Sequence, residues 1–237
     1  MRKKRGKRYK KLASKIDNKK EYSLEDAIAL SKSLASVKFD EAVVMAIRLG
    51  VKPQQADQMV RGSIVLPKGI GKKTKILVFA KGEKEKEALD AGADFVGAEN
   101  MIEKVTGGWM EFDRVVATPD MMGAVGKLGK VLGPRGLMPN PKSGTVTFEL
   151  ARAIKEIQAG KVEFKTEKAG IVHVPIGKAS FKPEDLIENA RVILETIVRM
   201  KPASSKGHYL KSITVSTTMG PGVKADSVQI SKLMNVA

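Results

Sequence analysis

The 237-residue chain has no cysteine, two histidines, one tryptophan and three tyrosines. Without cysteine it has no disulfides, no thiolate metal sites and no thiol nucleophile. His173 and His208 could build a zinc site only with carboxylates to complete it, so neither a metal nor another cofactor is expected. No apolar run reaches the roughly 18 residues of a spanning helix. The basic opening MRKKRGKRYKKLASKIDNKK is followed by no apolar stretch of the kind a secretory leader carries. No membrane partner and no export are expected, and most familiar catalytic chemistry lacks its side chains.

What is present is positive charge: 43 Lys and Arg against 26 Asp and Glu, a net +17. Such a balance points to a polyanionic partner. The charge is uneven. Residues 70–159 hold 14 basic and 12 acidic residues, whereas the two end segments share the other 29 and 14. Basic flanks around a near-neutral middle suggest two bodies, one made from residues 1–69 plus 160–237 and one from residues 70–159.

The local patterns agree with that division. In the first segment, Ser23 and Asp26 have capping-box spacing at the head of a helix predicted to about Leu34, followed by strands near Ala42–Leu49 and Ser63–Leu66. In the last, a strand at Gly170–Val174, a helix opening at Lys182-Pro183-Glu184 and running to about Met200, and a strand at Ser212–Thr217 are expected. Joined, the two segments predict a two-layer α+β domain formed from both chain termini, with four strands under two helices. In the middle, KILVFA (Lys75–Ala80) reads as a strand buried on both faces and is followed by a helix ended by Gly92. Strand Arg114–Ala117 and a helix starting at Pro119 repeat the scheme, which predicts an inserted α/β Rossmann-like domain.

Several motifs carry more than one reading. PKGIGKKT fails as a phosphate loop, because the residue five before Gly71 is Leu66 and Lys72 is followed by Lys73. It reads as a Gly/Lys-rich hinge. Gly123, Gly126, Gly129 and Gly133 would share one face of a helix. Close packing of that helix is the first expectation and close approach to a nucleic-acid backbone the second. Arg135 and Lys142, in the Pro/Gly-rich loop after it, could touch phosphates or be solvated.

Phe39 beside Lys38 could stack on a base next to a phosphate contact, or be a core residue. GKVEFKTEKAGIVHVPIGK reads as a hairpin of mixed charge, with His173 as a structural histidine in an apolar strand. STTMGPG, uncharged in a lysine-rich chain, reads as a bare loop that could lie flat against folded RNA. A β-branched residue in place of Gly220 would intrude on that contact and resist a positive φ. No phosphate fingerprint and no convergent acid or base is found, so no enzyme is expected.

KFDEAV, VRGSIVLPKGIGK, AGAD, GWMEFDRVVATPDMMGAVGKLGKVLGPRGLMPNPKSGTV, GKVEFKTEKAGIVHVPIGKASF and TTMGP occur in this order over nearly the whole chain. Together they resemble the L-one family of large-subunit ribosomal proteins in its bacterial form. The resemblance implies a terminal domain, an inserted Rossmann-like domain and a two-stranded hinge, which falls on Pro67, Gly69, Gly71 and Gly160. It implies a structural constituent of the ribosome that binds the mobile stalk of the 23S rRNA beside the tRNA exit site and assists release of deacylated tRNA. It also implies repression of its own operon through the messenger RNA, a cytoplasmic, ribosome-bound location and a monomer when free.

The family's RNA surface maps to Lys38, Phe39, Lys165, Glu167, Lys168, His173, Thr217, Thr218, Met219 and Gly220. Where the family commonly reads Phe-Asp-Glu-Thr-Val-Glu, this chain has Ala42 and Val44, so any hydrogen bond from that threonine or glutamate is absent. The tail from Val223 is left unassigned.

Overall fold

The computed structural model describes residues 6–17 and 20–234; residues 2–5 and Lys19 of the basic opening stretch lie outside the described residues. Along the chain the elements are α1 (Lys7–Ala13), α2 (Leu24–Ser33), β1 (Ala42–Leu49), β2 (Arg61–Val65), β3 (Ile76–Phe79), α3 (Glu83–Asp90), β4 (Phe95–Gly97), α4 (Glu99–Thr106), β5 (Arg114–Ala117), α5 (Met122–Val125), α6 (Gly129–Leu132), α7 (Leu150–Gln158), β6 (Lys161–Lys165), β7 (Ile171–Lys178), α8 (Pro183–Arg199), β8 (Leu210–Thr217), β9 (Val223–Ala225) and α9 (Ser227–Leu233). The fold is thus mixed α and β. The chain divides into two compact units, one taking both chain ends, through Gly71 and from Val162, and the other Lys72–Lys161. Among the described residues no helix is long and apolar enough to cross a membrane.

The unit made from both ends is built on an antiparallel sheet of order β7-β1-β8-β9. Strand alternation sends Val43, Met45 and Ile47 of β1, Val172 and Val174 of β7, and Ile213 and Val215 of β8 into one core. There they meet Ala27 and Ile28 of α2 and Leu186, Ala190, Ile193 and Ile197 of α8. Each Val, Ile, Leu or Met among them, fully buried, contributes about 1.5–3 kcal/mol. Helix α2 begins as its sequence predicts: the Ser23 side chain accepts from the Asp26 backbone N–H at 3.1 Å. Helix α8 has Pro183 in its first turn with Glu184 and Asp185 beside it, where the helix dipole favours acidic groups.

One buried polar residue fixes the turn after β2. Asn189 of α8, wholly inaccessible, donates through Nδ2 to the carbonyls of Ile176 (2.8 Å) and Gly69 (3.2 Å) and accepts from the Lys68 N–H (3.2 Å). Gly69, in that turn, and Gly71, just after it, have φ of 66° and 75°; Gly160, in the other unit, has 101°.

The unit Lys72–Lys161 has a parallel sheet of order β4-β3-β5. All four residues of the central strand β3 are buried, which explains its unbroken apolar run. Ile76 and Val78 pack with Ala88 of α3 and Leu150, Ile154 and Ile157 of α7. Leu77 and Phe79 pack in a second cluster with Met101 and Val105 of α4, Val125 of α5 and Leu132 of α6.

The structure corrects five expectations. The strand predicted at Ser63–Leu66 does not join the four-stranded sheet: β2 pairs with β6, and the fourth place is taken by β9 from the unassigned tail. Tyr22 locks β9 in place, its N–H bonding to the Lys224 carbonyl (3.0 Å) and its carbonyl accepting from Asp226 N–H (2.8 Å). The mixed-charge segment is not a hairpin ladder, since β6 and β7 belong to different sheets and only a tight turn at Glu167–Gly170 joins them. The helix from Pro119 is broken into short α and 3-10 turns, as recurring glycine, the weakest helix former after proline, would cause.

Three of the four glycines of that segment are not packing positions: a methyl group added at Gly123, Gly126 or Gly129 would meet nothing within 4 Å, and only at Gly133 would a Cβ come close, 2.5 Å from the Gly129 carbonyl oxygen. Gly220 is not at positive φ. A Cβ there would instead lie 2.3 Å from Thr217 Oγ1.

Candidate nucleic-acid interface

Strand β1 is the frame of the site. Its residues Ala42, Val44, Ala46 and Arg48 alternate with the core positions and stay half-buried or exposed. Beside them in register stand Pro175 and His173 of β7 and Ser216, Thr214 and Ser212 of β8. The sheet thus turns away from its helices a surface of small and hydroxylated side chains, with Arg48 and His173 among them.

The residues singled out from sequence fall at the two ends of this surface. At the Ala42 end, the Thr218 side chain bonds the Ala42 N–H (3.1 Å) and carbonyl (3.2 Å), and Thr218 N–H also donates to that carbonyl (3.0 Å). These bonds bring the loop after β8 beside the loop before β1. The tips of both loops are exposed and apolar, Phe39 at 54 % and Met219 at 45 %, with exposed Lys38 next to Phe39. Asp40 anchors the first loop from its other side, accepting from Ser180 N–H (3.1 Å) and Oγ (2.8 Å). Phe39 is therefore not a core residue. Thr217, in contrast, is turned inward: it is 3 % exposed, and its hydroxyl has no hydrogen-bond partner among the described residues.

At the Leu49 end, the turn Glu167–Gly170 meets β1 through Leu49 N–H to the Gly170 carbonyl (2.8 Å). Lys165, Glu167 and Lys168 are exposed there and line a cleft with Pro53, Gln54 and Met59. Strand geometry separates the two ends by about 23 Å, at roughly 3.3 Å per residue. His173 lies between them, opposite Ala46, with its Nε2 3.8 Å from a Glu167 oxygen. The structure thus gathers the predicted residues into two groups along one strand.

Sequence reasoning singled out neither Glu41 nor the loop residues Pro53, Gln54 and Met59, and took Arg8 only as one of the eight Lys and Arg of residues 2–11 expected to attract RNA by charge. Glu41 stands in KFDEAV, but nothing in the spelling of that segment marks its carboxylate as buried. Arg8 is one of many basic residues in the opening stretch.

The carboxylates held below their ordinary range lie elsewhere. A backbone hydrogen bond and then Arg191 lower Glu25, the Lys72 ammonium lowers Asp113, and the Lys161 ammonium lowers Glu156. Each is a structural ion pair: Arg191 with Glu25 at 2.8 Å, Lys72 with Asp113 at 2.6 Å and Lys161 with Glu156 at 2.9 Å. Burial pushes Tyr209 up to about 12, and its hydroxyl donates to the Ile197 carbonyl inside the core.

What the sheet offers is an extended surface, with exposed charged and apolar side chains at its two ends. The chain belongs to the ribosomal protein L1p/L10e family, whose model matches residues 30–221. That is a family of structural ribosomal proteins and not of enzymes. Membership makes this chain an rRNA-binding constituent of the large subunit, ribosome-bound and cytoplasmic.

Proposed function

We propose that this protein binds the mobile stalk of the 23S rRNA beside the tRNA exit site, using the unit made from both chain ends, and assists release of deacylated tRNA. The observation that carries this reading is the pairing of two exposed apolar tips, Phe39 and Met219, on loops joined at one end of β1 and flanked by Lys38. Exposed aromatic and thioether side chains on short, tied loops suit stacking on unstacked bases and ribose faces, while lysines supply salt-dependent attraction. Lys165, Glu167, Lys168 and His173 extend the contact along the sheet, and Thr217, Thr218 and Gly220 shape the second loop.

On the same reading the protein also binds a similar structure in its own operon messenger RNA and represses translation, contacts the exit-site tRNA, and is a monomer when free. The unit Lys72–Lys161 is a Rossmann-like domain, supported by its parallel sheet with helices on both faces. Pro67, Gly69, Gly71 and Gly160 form the hinge, supported by three positive-φ glycines near the chain crossings.

Filter binding to the isolated stalk fragment across a salt series, with excess duplex DNA as competitor, tests the reading. The parent protein is expected to keep the fragment, and Phe39→Ala and Met219→Ala to weaken it at every salt concentration. Loss of the fragment to duplex DNA would instead mark a binder driven by charge alone.

A further inference from the structure

Two charged side chains from different parts of the chain hold the two loops together. Glu41 is 1 % exposed; its Oε1 accepts from the Ser36 N–H at 3.2 Å and its Oε2 from the Met219 N–H at 2.8 Å. Arg8 of α1 grips the same two residues from the opposite polarity: its guanidinium donates to Ser36 Oγ and to the Met219 carbonyl, both at 3.0 Å. Ser36 and Met219 are therefore each held twice, by an anion at the amide and by a cation at an oxygen.

We propose that Arg8 and Glu41 are positioning residues of the RNA interface, a bracket that fixes the Phe39 loop and the Met219 loop in one mutual arrangement. This rests on the reading of this end of the sheet as the RNA-binding surface. Two loops that are ordered before the RNA arrives lose less freedom on binding, so the bracket acts on affinity without touching the RNA through Glu41. It also gives Arg8 a task distinct from the rest of the basic opening stretch. A guanidinium is a planar fork that can serve two acceptors at once, which an ammonium of the same charge does not reproduce. A carboxylate can accept from two N–H groups through two oxygens, whereas a glutamine turns one of them into a donor.

These differences define the test. Arg8→Lys keeps the charge and Glu41→Gln keeps the size, and each is compared with the parent for affinity to the stalk rRNA fragment across a salt series. Amide hydrogen exchange at Ser36 and Met219 is measured in the free proteins. We expect each variant to bind about tenfold more weakly, the scale of one lost charge-assisted hydrogen bond, and the exchange of the Ser36 and Met219 amides to quicken. The slope of log affinity on log salt should be unchanged in Arg8→Lys, because no cation is lost. Combined with Met219→Ala, either variant should add less than its own single loss, because the bracket acts through that residue.

Parental affinity in Arg8→Lys would reduce Arg8 to one more phosphate-attracting charge and overturn its part. Additive losses with Met219→Ala would overturn the coupling. Unchanged exchange in both variants would overturn the bracket whatever the parent binds. Failure of the parent itself to hold the fragment would overturn the RNA reading, and the bracket's role in binding with it.

Discussion

Gly220 gives the sharpest test of how the second loop is built. An alanine Cβ at this position would stand 2.3 Å from Thr217 Oγ1, well inside any non-bonded separation. The backbone is not at positive φ, so the conflict is steric and owes nothing to the conformational freedom of glycine. Thr217 ends β8, is 3 % exposed and has a stiff, β-branched side chain, so its hydroxyl has little room to swing away. Overpacking of this kind costs about 1–3 kcal/mol. Gly220→Ala should therefore lower the melting temperature seen by calorimetry by roughly 4–8 °C for a loss near 2 kcal/mol. Relief is equally specific. With Thr217→Ala, the next heavy atoms facing the new Cβ are Thr217 Cβ at 3.6 Å and the Thr217 nitrogen at 3.7 Å, ordinary contacts. That change also removes a buried hydroxyl with no partner among the described residues. The double variant should regain most of the loss, giving a coupling of about 1–3 kcal/mol. Equal destabilisation by Gly220→Ala in both backgrounds would refute the steric account.

Three further outcomes follow from the packing. Asn189→Ala leaves the Lys68 N–H and the carbonyls of Gly69 and Ile176 without their side-chain partner, and should cost about 2–4 kcal/mol in denaturant unfolding; a loss below about 1 kcal/mol would contradict that role. Gly126→Ala and Gly129→Ala place methyl groups in open space on helical backbone, so each should stabilise the unit by about 0.5–1 kcal/mol, and destabilisation would restore the close-packing idea. Glu156 is held below the ordinary glutamate range by Lys161, so in acid the unfolded chain takes up its proton first. The pair's contribution is complete above the unfolded glutamate value and is lost as pH falls through the folded one, and Lys161→Met should flatten the acid dependence of thermal stability in that window.

The elements that sequence reveals best are those whose own residues determine them. β3 is legible because four consecutive buried positions demand an apolar run, and α2 because Ser23 and Asp26 spell its cap. Composition suggests a first body made from both chain ends, since neither end can close a core by itself. What fails is partner choice. β2 and β9 are both short and half-apolar, and nothing in five or three residues says which will reach the sheet. The free edge of β9 is held by Tyr22, far away in sequence, whose backbone bonds to Lys224 and Asp226 on either side of Ala225. The glycine face after Pro119 misleads for a related reason. Periodicity shows which residues share a side, but not whether a neighbouring element comes to fill it.

The same limit governs the interface. Of the proposed interface, Phe39, Lys38 and Met219 stand out in the sequence because an aromatic beside a lysine and an uncharged loop in a basic chain are unusual in composition. Arg8 and Glu41 have no such mark, since their importance lies in meeting Ser36 and Met219 at once. For Arg8 the second of those contacts spans 211 positions, and for Glu41 it spans 178. A carboxylate in a chain of net charge +17 reads as a liability for RNA binding until its two oxygens are seen to be spent on amides. Charge counting and the proposed bracket therefore assign Glu41 opposite signs: with its charge turned inward on two N–H groups, it can strengthen the contact with a polyanion by holding the surface that makes it. Replacing it by alanine removes a negative charge and should, by charge alone, improve RNA affinity. If the bracket is the larger effect, affinity should fall instead, and the direction of that single change decides between the two.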